Sequence, residues 1–260
     1  MFFSIIINTH NQYSQIDRCI KSCLNQEYIE DYEVIISDTS DKKTINKYSK
    51  KNVKIKIVES NSYSDFPCVD QMLSIKNVLG YAKGKVICLL DGDDFFSPTK
   101  LNFLKNNFSQ NDMFLNQDNL VGFNEQTQKK FIINDKKRYK NNIIFNKLSN
   151  SWPKILGTSA ITTNKKILDN FFGVVNPVDW NFMAIDALLS IYFDSIKPIN
   201  FMGDHLTYKS FHGLNLDGTY SNKLSKNYWT RRSQQHNYYQ FIHNKKYINI
   251  DSLVSNLFSN

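Results

Sequence analysis

The chain has 260 residues, of which 41% are apolar and 22% charged, and its formal net charge is +8. This is enough for one sizeable α/β domain with a small appendage, and no apolar run is long enough to span a bilayer. The charge fits phosphate-bearing partners or an anionic membrane surface, but the lysines are scattered in pairs such as Lys50-Lys51 and Lys136-Lys137.

Phe2 to Ile7 reads as a first strand. It lacks the basic leader and small-residue cleavage site of a signal peptide, so a cytoplasmic location is expected. A helix follows, with Ile16, Cys19, Ile20, Cys23 and Leu24 at the spacing of one buried face. Tyr32 to Ile36 reads as the second strand, closing on Ser37-Asp38-Thr39-Ser40. A polar helix near Lys42 to Lys50 and a third strand, Val53 to Val58, come next. Val69 to Ala82 has Met72, Ile75, Val78 and Leu79 on one helical face, with Gly84 as its stop. Cys19, Cys23, Cys68 and Cys88 have no partner at zinc-site spacing, so buried free thiols are expected.

The fourth strand, Val86 to Leu90, runs straight into Asp91-Gly92-Asp93-Asp94. Alternating strands and helices predict a doubly wound, mainly parallel sheet whose strand ends at Thr9, Asp38 and Asp91 line one crevice. Three carboxylates crowded there repel one another unless a cation or hydrogen-bonded ligand compensates them. Two of them one residue apart can present oxygens to a hard divalent ion that also holds a diphosphate.

Beyond Pro98 a helix is expected with Leu101, Leu104 and Phe108 inward. Residues 116–150 read as a variable hairpin and loop insert, with a strand at Lys130 to Ile133. Trp152 to Thr162 returns to the core through Gly157-Thr158-Ser159-Ala160. Phe182 to Phe193 is an apolar helix interrupted by Asp186, and Ile199 to Tyr208 a further strand that leads to His212. Tyr228 to Tyr247 is an aromatic, basic helix. Either it packs back on its own domain, or Trp229, Tyr238, Tyr239 and Phe241 dock on a membrane surface or another subunit.

These motifs resemble family 2 of the inverting nucleotide-sugar glycosyltransferases, which have the GT-A fold. Ser4 to Asn11 resembles the family's opening strand and turn, and Ser37-Asp38-Thr39-Ser40 its second strand end, without the usual glycine. Leu90-Asp91-Gly92-Asp93-Asp94 with Pro98 resembles the metal motif, preceded by Ala82-Lys83-Gly84. Asp186, Leu206-Thr207-Tyr208, His212 and Asn215 keep the family's C-terminal order. The resemblance covers roughly residues 3–215, without the insert, and implies a GT-A domain over residues 1–217 with a donor half at 1–98 and an acceptor half at 99–217; the aromatic, basic helical tail at 218–260 lies beyond it.

It also implies roles. Thr9, Asn11, Asp38, Lys76, Asp91, Gly92 and Asp93 would bind the donor, a UDP-sugar. Asp93 and His212 would hold Mn or Mg, with Asp91 either joining the metal shell or meeting the ribose. Asp94 would cap the next helix or organise the loop. Asp186 would be the general base, with Asp179 beside Trp180 as the rival. The acceptor would be a glycan or lipid-linked glycan of a bacterial surface polymer, such as capsule or lipooligosaccharide, built at the inner face of the cytoplasmic membrane. Two other functions compete. A nucleotidyltransferase would need a Gly-rich, basic loop after the first strand, where Asn8-Thr9-His10-Asn11 has none. A polyanion or nucleic-acid binding module would leave the acid cluster unexplained, so no nucleic-acid partner is expected.

Overall fold

A computed structural model describes residues 2–28, 30–42, 45, 48, 53–107, 114–133, 152–212, 222–244 and 249–259. The strands are β1 (Phe3–Thr9), β2 (Tyr32–Asp38), β3 (Ile55–Glu59), β4 (Val86–Asp91), β5 (Phe95–Phe96), β6 (Leu115–Asn124), β7 (Lys129–Ile132), β8 (Ile161–Asn164) and β9 (Asn200–Phe211). The helices are α1 (Ile16–Leu24), α2 (Pro67–Leu79), α3 (Lys100–Asn107), α4 (Lys165–Val174), α5 (Ile185–Asp194), α6 (Lys226–His243) and α7 (Ile250–Ser259).

All nine strands share one sheet, in the order β3-β2-β1-β4-β8-β6-β9-β5, with β7 paired to β6. The pairs β3–β2, β2–β1, β1–β4 and β6–β9 are parallel. Residues alternate across the sheet, as strand geometry requires. Ile5 and Ile7 of β1 meet α1 through Cys19, Ile20 and Cys23 on one face. Ile6, Ile35, Ile87 and Leu89 meet α2, α4 and α5 on the other. The sheet is therefore a mixed α/β core of the GT-A kind, covered by helices on both sides.

Helix α2 starts two residues earlier than the periodicity predicts, because Pro67 sits at its first position, where its fixed φ fits and no N–H is needed. It ends at Leu79, so Gly84 is not its stop. A Cβ at Gly84 would lie 2.5 Å from the Phe3 carbonyl carbon and the Ser4 nitrogen, so glycine lets the chain pass over β1 into β4. Val53 stands exposed before β3 rather than inside it. The helix expected from Phe182 starts at Ile185, after a separate 3-10 turn at Pro177–Trp180. Most of the polar helix expected near Lys42 to Lys50 lies outside the described residues, as do Phe108 and Asn215.

The largest correction concerns β6. Residues 116–124 are not part of a surface insert but of a strand inside the sheet, flanked by β8 and β9. Asn116, Gln117 and Asp118 are buried there, and polar residues hide a core strand from hydrophobic pattern. Gln117 is satisfied: its Nε2 donates to Ser190 Oγ at 2.8 Å and its Oε1 accepts from Leu156 N at 2.8 Å. Asp118 accepts from the buried Lys100 ammonium at 2.7 Å.

Of the two expectations for the tail, α6 follows the first. Ser225 caps it, accepting from Tyr228 N at 3.2 Å, and Asn244 ends it in the left-handed conformation at φ 47°. Tyr238 is 0% exposed, donates to the Leu188 carbonyl at 3.0 Å and lies edge-on to Trp180 at 4.8 Å. Tyr239 packs against the same core cluster. Only Phe241, of the four aromatic residues expected to dock, is more than half exposed.

Candidate active site

The sheet register brings the three strand ends together. Thr9 pairs with Asp38, and Asn8 pairs with Asp91. The chain then turns at Gly92, whose N–H donates to the Asn8 carbonyl at 2.8 Å. A Cβ on Gly92 would lie 2.7 Å from both Cβ and Oγ1 of Thr9, so the acid loop can rest on the end of β1 only with glycine there.

Each of the three acids faces a different way. Asp94 points inward and is buried. Its Oδ1 accepts from Ser210 N at 2.8 Å and its Oδ2 from Ser159 Oγ at 2.6 Å, so it organises the loop by tying it to β9 and to the 3-10 turn Thr158–Ala160. Burial, then the neighbouring Asp93 and Asp91 charges, push its carboxyl well above the usual range. Asp91 faces α2, where Gln71 Nε2 donates to its Oδ1 at 2.9 Å. Its carboxyl is pushed up to about 7 by burial first, then by Asp93, with a smaller push from Asp186 and a pull down from Gln71 and Lys209.

Asp93 faces His212, with Oδ2 and Nε2 at 2.8 Å. That hydrogen bond raises the imidazole above its ordinary value. The main chain of Asp93 is held as well: its carbonyl accepts from Arg18 at 3.2 Å and from Ser210 Oγ at 2.5 Å. Arg18 is itself fixed. Its guanidinium lies between the Phe95 and Phe123 rings, 4.5 and 4.6 Å from their centroids, pairs with Glu125 and donates to Ser210 Oγ at 2.8 Å. That pairing draws the Glu125 carboxyl below its ordinary value.

Asp186 stands in the first turn of α5, where the helix dipole favours a carboxylate, and its Oδ1 accepts from Ala187 N at 2.7 Å. Its charge adds a small upward push on the Asp91 carboxyl. Asp179 is exposed on the preceding 3-10 turn.

The other expected donor residues divide. Thr9 and Asp38 are buried at adjacent strand ends, with Asp38 Oδ1 accepting from Ser40 N at 2.9 Å. Asn11 adopts the left-handed region at φ 56° and stitches two loops together: its Nδ2 donates to Asp41 Oδ2 at 2.9 Å and its Oδ1 accepts from Asp41 N at 3.0 Å. Lys76 is exposed and lies 6.0 Å from the Phe172 ring centroid. Gln71, five residues earlier on the same helix, is the side chain that reaches the acids. Sequence reasoning missed Gln71, Arg18, Ser159 and Lys100. Only Ser159 carried a signal, through its place in the segment returning to the core.

Asp93 and His212 offer one hard oxygen and one imidazole nitrogen. No set of three or more metal-capable side chains converges among the described residues. An oxygen and an imidazole nitrogen are ligand types that Mn accepts, and these two would supply only part of its shell.

The model of Glycosyl transferase family 2 matches residues 4–169, and the chain belongs to that family. Among curated proteins none matches it significantly. Among solved structures it is similar to S. aureus TarS 1-349 in complex with UDP, with a TM-score of 0.63 and 15% identity over 100% of this chain and 70% of that one. The same TarS fragment with UDP-GlcNAc gives 0.62 and 14%, again over 100% and 70%. The mannosyltransferase PcManGT from Pyrobaculum calidifontis, in complex with GDP-Man and Mn2+, gives 0.60 and 11% over 99% of this chain and 68% of that one. At these identities the likeness speaks for the fold.

Proposed function

We propose that this protein is an inverting glycosyltransferase that moves a sugar from a nucleotide sugar to a hydroxyl of a growing bacterial surface glycan, such as capsule or lipooligosaccharide. The observation that carries this reading is the acid loop itself: Asp91 with Gln71 on its Oδ1 at 2.9 Å and the Asp93–His212 pair at 2.8 Å lie at the strand ends where Thr9 pairs with Asp38. Thr9 and Asp38 bind the nucleoside end of the donor. Asp91 meets the ribose or joins the metal shell. Asp93 and His212 hold Mn or Mg, which when bound would neutralise charge on the diphosphate.

Asp186 accepts the proton of the acceptor hydroxyl. The hydroxyl oxygen bonds to the anomeric carbon as the bond from that carbon to the diphosphate oxygen breaks, and the nucleoside diphosphate leaves with the electron pair. A single displacement inverts the anomeric centre. A UDP-sugar is the proposed donor, in line with the UDP and UDP-GlcNAc complexes of TarS. The proposed place of work is the inner face of the cytoplasmic membrane.

The test combines binding and turnover. Mn should let UDP raise the melting temperature of the intact chain, and Asp93→Ala should remove that metal-dependent rise. Asp186→Asn should lower sugar transfer by about 10²–10⁴-fold with the melting response to UDP and Mn kept, while Asp179→Asn stays near wild type. An inactive Asp179→Asn beside an active Asp186→Asn would reassign the base.

A further inference from the structure

The last helix is packed inside out. In α7 the polar side chains face the protein: Ser252 and Ser255 are buried, and Asp251 Oδ2 accepts from Arg232 Nε at 2.6 Å and His236 Nε2 at 2.7 Å. Asn256 Oδ1 accepts from Ser233 Oγ at 2.5 Å. The apolar residues face away. Ile250, Leu253, Leu257 and Phe258 are 67, 58, 72 and 55% exposed, and the first three follow the i, i+3, i+7 spacing of one helical stripe. A helix whose apolar stripe normally seeks the core here turns it outward, and hydrogen bonds to α6 fix that orientation.

The stripe continues onto the neighbouring segment. Phe258 stacks on Trp229 with ring centroids 5.3 Å apart, and Trp229 Nε1 donates to the Lys223 carbonyl at 2.9 Å. That contact brings the exposed Lys223 up to Trp229, and Leu224, next in the chain, is 95% exposed. Lys223 thus stands beside the aromatic end of the stripe. Residues 222–260 carry six Lys and Arg and a single acid, Asp251, a large share of the chain's +8.

We infer that the outward face of α7, with Leu224 and Trp229, docks on an anionic lipid surface. Charge complementarity favours this occupant: an apolar stripe on a segment of net positive charge, with the exposed Lys223 next to Trp229, is the pattern of an element lying in the interface of an acidic bilayer. The size of the patch argues the same way. Four side chains of a ten-residue helix fall well short of the ~800 Å² and ~20–30 residues that each partner contributes to a stable protein interface, while shallow insertion needs only such a stripe. The reading does not depend on which reaction the crevice performs.

The test uses the intact chain and vesicles of two compositions, phosphatidylcholine alone and phosphatidylcholine with about 30 mol% phosphatidylglycerol. The chain should sediment with the acidic vesicles and not the neutral ones, and added salt should release it. The double variant Leu253→Ser/Leu257→Ser changes two exposed side chains, so its melting temperature should stay that of the parent while its vesicle affinity falls about tenfold or more. No sedimentation of the parent, or equal binding by the double variant, overturns the inference. A dimer seen by light scattering, lost in the double variant while vesicle binding persists, would also overturn it and assign the stripe to a second copy.

Discussion

Two buried acidic places lie side by side in this protein, and their charge is handled in opposite ways. On β6, Asp118 has its own cation: the Lys100 ammonium at 2.7 Å, itself fully buried, held further by Thr207 Oγ1 at 2.7 Å and by the Ser159 carbonyl at 3.3 Å. In the loop after β4, Asp91, Asp93 and Asp94 have hydrogen-bond donors and one histidine, and burial with the neighbouring Asp93 charge raises the carboxyls of Asp91 and Asp94. Ser159 belongs to both places, since its hydroxyl donates to Asp94. The contrast separates an acid with a lysine built against it from acids held mainly by neutral donors, with His212 on Asp93. Substrate and metal sites are built in the second manner.

Breaking the first place should have the largest effect. Lys100→Met leaves Asp118 buried without its cation and should cost about 3–5 kcal/mol of stability in denaturant unfolding. Removing both charges with Lys100→Met/Asp118→Leu should recover most of that loss. If the single variant is as stable as the parent, Asp118 is not held by Lys100 and the contrast fails.

The second effect sharpens the other side. Arg18 neutralises none of the three acids directly but grips the Asp93 carbonyl from its slot between Phe95 and Phe123. Supports of this kind set ligand direction. Arg18→Ala should therefore weaken Mn binding in the presence of UDP about 10–100-fold, read from the free-Mn resonance signal. Unchanged Mn affinity would reduce Arg18 to a packing residue.

The smallest effect concerns pH. The Asp91 carboxyl rises from its ordinary value to about 7, mainly through burial. The folded chain thus holds this proton more tightly than the unfolded one. Its contribution to stability is fully present below about pH 4 and is lost as pH rises through 7. Asp91→Asn, which keeps the size and the acceptor for Gln71, should raise the melting temperature by a few degrees at pH 8, about 1 kcal/mol, and leave it unchanged at pH 4. A rise of equal size at both pH values would show that charge is not the cause.

The sequence makes one half of this molecule easy to read. The apolar runs of β1, β2 and β4 end in polar turns, and parallel register alone then sets Thr9 beside Asp38 and Asn8 beside Asp91. The other half is hidden for a physical reason. The strand β6 begins Leu115-Asn116-Gln117-Asp118, and its polar side chains lie in the core because Ser190, Leu156 and Lys100 satisfy two of them. Nothing local in the pattern announces those partners. Arg18 finds Glu125 and Ser210 across more than a hundred residues of chain, a distance no periodicity spans. The inverted packing of α7 is invisible for a third reason: amphipathic spacing gives the stripe but not the side that water sees.

Tyr238 has a bearing on how the chain is made. It fills the core beneath α5 and is fully enclosed, yet the ribosome delivers it 44 residues after Asp194, the last residue of that helix. At about 5–20 residues per second, roughly 2–9 s pass between the last residue of α5 and the side chain that encloses it beside Leu188. During that interval its apolar wall is open to chaperones and to other chains, so the rate of translation through this stretch bears directly on how much of the protein reaches its native state.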